Sequence, residues 1–444
     1  MRKTPLDPWI NRKVRGDRTG GEVLARKDLE LYQIRKLRET IGLAKERSRF
    51  YRERLAGIEP ESIEGMGDLS RLPFTTVEDL ESGHLGFLCV SQGEISRVVT
   101  LNSSGTTGPP KRLCFTREDL ESTVDFFHHG MSTLVGPGDR VLILLPGERP
   151  DSVGDLLAAG LRRLGAKAVP HGMVVDQRSA LEIIQSEDIN SIVGVPTQVL
   201  TLARYGEHWG MTRSFKIDTL LLTTDHVPAA IARELESLWG CKVFNHYGMT
   251  EMGLGGGVEC EARDGYHLRE ADLYFEIVDP VSGHPLAEGE EGEIVFTTLT
   301  RRGMPLIRYR TGDVSSFVPG SCPCGSVLPR MKRVRRRLEG LIELPGRGRL
   351  TLAELDEALF PIRGVLDFTA SLTGDALHVK VKSGEWADRE EIDARIQQGL
   401  EGIPGIAAAR GSGGMRIEID SETGWMTRPV GVGKRVLVDQ RKRG

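Results

Sequence analysis

Leu101-Asn102-Ser103-Ser104-Gly105-Thr106-Thr107-Gly108-Pro109-Pro110-Lys111 continues the apolar run Ser96–Leu101 (SRVVTL). Small hydroxyl and glycine residues let a loop turn its N–H groups inward around a phosphate. The hydroxyls donate hydrogen bonds, and the lysine supplies a positive charge. A plain Ser/Thr/Gly turn shares this composition, but so many small residues and a lysine straight after an apolar strand exceed what a turn needs. The pattern is not the Walker G-x-x-x-x-G-K-[ST], because Lys111 lies three past Gly108 and no Ser or Thr follows it. That argues against a P-loop kinase or GTPase.

Outward from this loop the chain alternates apolar runs with helical periodicity. VLILLPG (141–147), SIVGVP (191–196) and TLLLTT (219–224) read as buried strands. SVGDLLAAGLRRLGA (152–166) and AAIARELESLWG (229–240) read as helices between and after them. Strand and helix in alternation predict layered α/β sheets, partly parallel. LYFEIVDP (273–280) and EGEIVFTTL (291–299), separated by a turn, predict an antiparallel β-patch. From Arg26 to Leu55 apolar residues recur at threes and fours, the mark of an amphipathic helix or helix pair. Residues 1–25, polar and rich in Gly and Arg, read as a loose arm. The cationic stretch RMKRVRRRLEG (330–340) marks a boundary, giving a large domain over 1–337 and a small α+β domain over 338–444. In the latter, LTLAELDEALF and DREEIDARIQQGLEG read as helices, LDFTASL and ALHVKVK as strands, and GVGKRVLVDQRKRG as a basic tail.

Composition narrows the function classes. With 59 Lys+Arg against 63 Asp+Glu, the net charge is 59 − 63 = −4, which argues against bulk nucleic-acid binding. Nothing in the chain has the length and apolarity of a membrane span. The N-terminus has positive charges but no apolar stretch after them, so a cytoplasmic location is expected. There the six cysteines are core fillers or metal ligands before they are disulfides. Glycine stands out: 53 of 444 residues is about 12%, against a typical ~7%.

Three further motifs follow the loop in order. They are Phe244-Asn245-His246-Tyr247-Gly248-Met249-Thr250-Glu251, then Gly303–Asp313 (GMPLIRYRTGD), then Gly433-Lys434. The order S-S-G-T-T-G-P-P-K, Y-G-M-T-E, Y-R-T-G-D and a distal G-K resembles the adenylate-forming acyl-CoA synthetase superfamily. PLIRYRTGD, the CPCG that follows, RKLRETIGLAKERSRFYRERL (35–55) and GKRVLVD (433–439) are most similar to its phenylacetate–CoA ligase branch. The resemblance covers nearly the whole chain.

That resemblance implies ATP-dependent activation of a carboxylic acid, aryl or related, to an acyl-adenylate. Transfer to CoA would follow, with AMP and pyrophosphate released. It implies that Ser103, Ser104, Gly105, Thr106, Thr107, Gly108 and Lys111 hold the phosphates. Glu251 would ligate Mg²⁺, and Thr250 would meet the α-phosphate. Asn245, His246, Tyr247 and Gly248 would flank the adenine and the acyl pocket. Asp313 would bind the ribose hydroxyls with help from Arg337. Lys434 would reach in from the small domain, which in this superfamily is mobile about a hinge near residue 338. Thr224-Asp225-His226 falls where relatives keep a Gly/Glu loop near the base. The branch's Gly-Arg-x-Asp-Asp hinge reads Arg336-Arg337-Leu338-Glu339-Gly340 here, a departure on the thioester-forming side that leaves the adenylating half intact. Relatives form dimers, so a homodimer is an expectation of the same kind.

Cys260, His267, Cys322 and Cys324 form a set of the type zinc takes as a closed tetrahedral site, and some relatives carry a similar C…H…CPCG pattern. The alternative is four unrelated residues. Phe126-Phe127-His128-His129 reads as a helical face against the core rather than an acyl-pocket wall. GMTEMGLGGG (248–257) reads as a glycine-lined tunnel for a flat substrate or a pantetheine arm. Two functional alternatives remain: an adenylating enzyme whose acceptor is not CoA (AMP transfer or amide formation), and an inactive nucleotide-binding relative.

Overall fold

The apolar runs at 141, 191 and 219 become neighbouring parallel strands. Arg140–Leu144 pairs with Lys167–Pro170 on one side and with Ser191–Gly194 on the other, and Ser191–Gly194 pairs with Thr219–Leu222. The central strands are buried on both faces, whereas Lys167–Pro170 at the edge is half exposed. This is the pattern of a parallel sheet covered by helices. The structure, a computed structural model, describes residues 1–16, 23–101, 110–411, 413–424 and 435–442. Its contacts divide the chain into two compact units. One comprises 1–137, 149–165 and 245–333, and the other 138–148, 166–244 and 334–444. Mixed α/β layering is thus the fold class, as expected. Among the described residues no helix is long and apolar enough to cross a membrane.

In the second unit the parallel strands are joined through helices Gln177–Ser186 and Pro196–His208, and Ala229–Trp239 follows the last of them. Residues 338 onward add helix Leu352–Leu359 and the antiparallel pair Val365–Thr373 and Ala376–Ser383. Arg416–Thr423 and Leu437–Asp439 then pair in parallel on the two flanks of that hairpin. The last of these is a departure, since the basic tail contributes a strand and buries Leu437. One apolar cluster runs from Leu144, Leu220 and Ile231 to Leu355, Phe368 and Leu437. Into it reaches Arg204, with 2% of its surface exposed. Its guanidinium donates to the carbonyls of Phe360 (2.7 Å), Ile362 (3.2 Å) and Val365, and pairs with Glu234 at 3.3 Å. One side chain therefore gathers three carbonyls beyond the end of helix Leu352–Leu359, of which that of Ile362 also accepts from the Val365 N–H at 2.9 Å.

In the first unit, Arg26–Arg47 and Arg49–Arg54 are the expected helix pair. The loose arm is corrected in part. Leu6–Arg15 is a helix that buries Leu6, Trp9 and Ile10, an apolar stripe masked in the sequence by the charges around it. Strands Ile95–Leu101 and Lys111–Thr116 are antiparallel, with Leu101 opposite Lys111. Helix Arg117–Met131 starts at a capping box in which Thr116 and Asp119 satisfy each other's backbone N–H. Leu273–Val278, Gly292–Thr298 and Tyr309–Ser315 form the antiparallel β-patch.

Replacing Arg204 by Leu should lower the urea unfolding free energy by about 3 kcal/mol, because it leaves buried carbonyls without donors. A loss well under 1 kcal/mol would show that those carbonyls are satisfied in other ways.

Candidate active site

Strand Lys242–Tyr247 begins in the second unit and ends in the first, delivering the Y-G-M-T-E sequence there. It is followed by a single helical turn, Thr250–Met252, that carries Glu251. Gly248 is required by packing, because a Cβ there would lie 2.3 Å from the carbonyl oxygen of Leu254. Glu251 is 2% exposed. Its carboxylate pairs with the Lys111 ammonium and accepts from the Tyr309 hydroxyl at 3.4 Å. Its backbone carbonyl accepts from Arg301 Nη1 at 2.6 Å. The loop lysine and the carboxylate expected to hold a metal, 140 positions apart in sequence (251 − 111 = 140), are thus in contact.

A second tie runs parallel to the first. The Tyr247 hydroxyl donates to Asp313 Oδ2 at 3.0 Å, and the Asp313 N–H donates to Thr311 Oγ1 at 3.0 Å. Tyr309, Thr311 and Asp313 are all buried on strand Tyr309–Ser315, whose pairing with Gly292–Thr298 shifts register between Arg310 and Val314. Tyr247 and Glu251 are four apart, and so are Asp313 and Tyr309. The two motif segments are therefore cross-braced at both ends. Burial and the neighbouring Asp313 charge push the Tyr247 phenol far up, so it stays a donor.

Two contributors escaped the sequence reading. Glu259, fully buried, accepts from the Asn245 N–H (2.9 Å), Asn245 Nδ2 (3.1 Å) and Arg333 Nε (2.6 Å). Arg301, also buried, spans from Glu251 to the Cys114 carbonyl at 3.3 Å, over the Phe115 ring. A lone Glu in GVEC and an Arg before GMP give no local signal, since their partners lie far along the chain.

The glycine tunnel is also corrected. A Cβ on Gly255 would meet the Phe126 ring at 2.3 Å, and one on Gly256 the Met252 sulfur at 2.5 Å. The run is a tight packing surface. Phe126 and Phe127 are buried, with ring centroids 6.1 and 6.3 Å from the His246 imidazole.

Cys260, His267, Cys322 and Cys324 come together, all buried, with candidate ligand atoms within 4.8 Å of one another. Cys260 Sγ lies 3.6 Å from Cys322 Sγ, and Cys324 Sγ 3.4 Å from His267 Nε2. Tetrahedral zinc with Zn–S near 2.3 Å and Zn–N near 2.0 Å has edges of roughly 3.8 Å (S···S) and 3.5 Å (S···N). Asp125, His128 and His129 also cluster, but Lys13 lies 3.8 Å from Asp125 and Arg12 lies 3.3 Å from His129. Cations already occupy that position.

Ser103, Ser104, Gly105, Thr106, Thr107, Gly108 and Lys434 lie outside the described residues. Thr250 is half-buried beside Glu251. Arg337 is exposed on the short strand Arg336–Arg337, which belongs to the second unit. Asp225 and His226 follow strand Thr219–Leu222 in that same unit.

Residues 96–299 match the family of AMP-binding enzymes. A phenylacetate–coenzyme A ligase of Thermus thermophilus is 32% identical over 73% of this chain and 74% of its own length. The corresponding ligase of Escherichia coli K12 is 29% identical over 72% of this chain and 73% of its own. In three dimensions a 2-hydroxyisobutyryl-CoA ligase, in the postadenylation state in complex with 2-HIB-AMP, matches with a TM-score of 0.80 at 21% identity. That match covers 98% of this chain and 92% of the other, a likeness of fold.

His246 gives this region a pH signature. Burial disfavours its charged form and lowers its pKa to about 4 from 6.5. Between those values the unfolded chain binds a proton that the folded chain does not, so stability falls as pH drops through that window. The contribution is about 3 kcal/mol by pH 4. His246→Gln should lose correspondingly less stability between pH 7 and pH 4 in urea titrations; an unchanged slope would mean the imidazole titrates normally.

Proposed function

Because the chain belongs to the phenylacetate–coenzyme A ligase family of AMP-binding enzymes, we propose that it activates an aryl or related carboxylic acid with ATP and transfers the acyl group to CoA. In the first step a carboxylate oxygen bonds to the α-phosphorus as the bond to pyrophosphate breaks. In the second the CoA sulfur bonds to the acyl carbon as AMP leaves. The observation that carries the reading is the buried Lys111–Glu251 pair, braced by Tyr309 and set beside the Tyr247–Asp313 bond.

The chemical difficulty is charge. A carboxylate must approach a polyphosphate, so most of the barrier is lowered by fixed cations and donors. Lys111 follows residues 103–110 in the motif, and Glu251 would hold it until phosphates offer it another partner. Glu251, once released, would hold Mg²⁺, for which a buried carboxylate whose charge partner is a flexible ammonium is a fitting donor. The ion would supply Lewis-acid charge neutralisation on the phosphates. Exchanging one partner for another keeps both buried charges compensated throughout, which avoids the several kcal/mol that an unpaired buried ion costs. Thr250, next to Glu251, would donate to the α-phosphate. Asp313, with one oxygen engaged by Tyr247, would accept from the ribose hydroxyls, assisted by Arg337. Asn245, His246 and Gly248 would line the base and acyl side. Lys434 would neutralise the acid and the α-phosphate during adenylation. Residues 338–444 would act as the mobile small domain. Zinc at Cys260, His267, Cys322 and Cys324 would be structural, because the S···S and S···N separations suit a closed site. A cytoplasmic, homodimeric enzyme completes the proposal.

Purified protein incubated with ATP and a panel of aryl acids should release pyrophosphate with at least one acid, and release AMP only when CoA is added. Pyrophosphate exchange without thioester would favour the other-acceptor reading, and silence with every acid the inactive one. Lys111→Ala should lower pyrophosphate release by about 10²–10³-fold, the effect of removing one stabilising donor. Lys434→Ala should abolish adenylation yet spare thioester formation from a supplied adenylate.

Metal analysis should find one zinc per chain in wild type and none in Cys324→Ser. Its absence from wild type would remove the metal from the proposal.

A further inference from the structure

Arg301 is a buried guanidinium with two hydrogen-bond partners among the described residues, both of them backbone carbonyls. Its Nη1 donates to the Glu251 carbonyl at 2.6 Å and its Nη2 to the Cys114 carbonyl at 3.3 Å. The group lies over the Phe115 ring, 4.4 Å from the centroid. The loop it projects from is fixed separately, because Asp119 accepts from the N–H groups of Arg302 (3.2 Å) and Gly303 (3.3 Å). Asp119 is itself set in the capping box that starts helix Arg117–Met131. The fork thus reaches from a fixed base to two other segments, strand Lys111–Thr116 and the turn Thr250–Met252.

Those two segments carry Lys111 and Glu251. Both ties end on one residue, since Lys111 meets the Glu251 carboxylate and Arg301 meets its carbonyl. On the strand side they are three residues apart, at Lys111 and Cys114, or about 10 Å at ~3.4 Å per residue. The strand is regular over that length, with its register against Ile95–Leu101 unbroken from Lys111 to Phe115. Lys111 and Phe115 therefore share a face, and the guanidinium stacks on the face from which the lysine projects. The ties differ in what a ligand can do to them. An ammonium and a carboxylate can each be taken over by a group of opposite charge. The Arg301 tie has neutral acceptors at both ends and lies buried, so ionic exchange bypasses it.

We propose that Arg301 is a positioning residue for the acid-activating step, the tie that keeps the Glu251 turn on strand Lys111–Thr116 once Lys111 and Glu251 have parted. When phosphates draw the ammonium away, the ion pair no longer joins strand to turn. Arg301 then holds the two side chains at a spacing that one polyphosphate and its cation can bridge. Its planar fork meets both carbonyls at once, which an ammonium in its place does with less directional order. This rests on the reading of Lys111 and Glu251 as the groups that share the ATP phosphates.

The test is a double-mutant cycle on equilibrium binding. The probe is α,β-methylene-ATP with Mg²⁺, whose α,β link cannot release pyrophosphate. In calorimetry of the full chain, Arg301→Lys should bind it about tenfold more weakly than wild type, the worth of one charged hydrogen bond. In a Lys111→Ala background the same substitution should cost less than about threefold, because one of the two groups to be spaced is gone. Equal losses in the two backgrounds would show a general effect on the fold and overturn the proposal, as would no loss in either. Arg301→Gln, which keeps one neutral donor, should give the same pattern and decides the matter if Arg301→Lys does not fold. A wild type that binds the analogue but activates no acid would defeat the proposed reaction, while the cycle still decides whether Arg301 spaces the pair. A wild type that does not bind the analogue would overturn both.

Discussion

Glu251 is a carboxylate enclosed by protein, and a buried charge must have a partner. Water would solvate it if it could reach it, but 2% exposure leaves that role to the protein. Lys111 fills it, and Tyr309 adds a hydrogen bond at 3.4 Å. Several features of the first unit follow from this need. Lys111 must open a strand, so that its backbone is fixed by the pairing with Leu101 while its side chain is directed to Glu251. The turn carrying Glu251 must be held from behind, which Arg301 does through the backbone carbonyl at 2.6 Å. In the proposed reaction the pair is also what would make the site responsive. An ammonium and a carboxylate that neutralise each other can each be taken over by a ligand of opposite charge, at a much smaller cost than exposing either one alone.

The fold was largely legible because periodicity is local. Buried strands at 141, 191 and 219 and the helices between them declare themselves within windows of ten residues. The motif residues were legible for a different reason: Tyr247, Glu251 and Asp313 sit in short, distinctive stretches. What could not be read was their mutual bracing. Tyr309 to Glu251 and Tyr247 to Asp313 span 58 and 66 positions, and nothing in either stretch announces its partner. Glu259 and Arg301 were missed for the same reason. The helix Leu6–Arg15 was hidden by composition, since three buried apolar residues among many charges look like a polar arm. The run Gly253–Gly257 misled in the opposite direction. Absent side chains suggest empty space, yet Phe126 and Met252 fill it, and the glycines are there to let them approach.

The near-neutral net charge conceals how individually the cations are used. Arg204 ends a helix by gathering carbonyls, Arg301 supports the Glu251 turn, and Arg435 sits among carboxylates. Arg308 pairs with both oxygens of Glu276 at 3.1 and 3.0 Å and stacks over Phe74 at 4.1 Å. Guanidinium serves in all four places because its planar fork can meet several acceptors at once, which a lysine ammonium does with less directional order. Lys111 is the contrast. A single compact charge on a flexible stem suits the exchange of partners proposed for it, and a rigid fork suits a group that keeps its partners.

Arg308 shows how such anchoring supports strain. Its φ is +47°, a left-handed conformation that costs a non-glycine residue roughly 1–2 kcal/mol. The Glu276 pair, together with carbonyls of Ser70 (3.1 Å) and Leu72 (2.9 Å), fixes the side chain so fully that the backbone cannot relax without breaking buried charged bonds. Each such bond contributes about 1.5–3 kcal/mol, so the anchors outweigh the strain. The kink comes one residue before Tyr309, where the strand that carries both braces begins. Tyr309, next to the anchor, reaches Glu251, and Asp313, beyond the register shift at Gly312, reaches Tyr247. A strained arginine outside the reacting groups thus anchors the start of the strand on which the Glu251 brace depends.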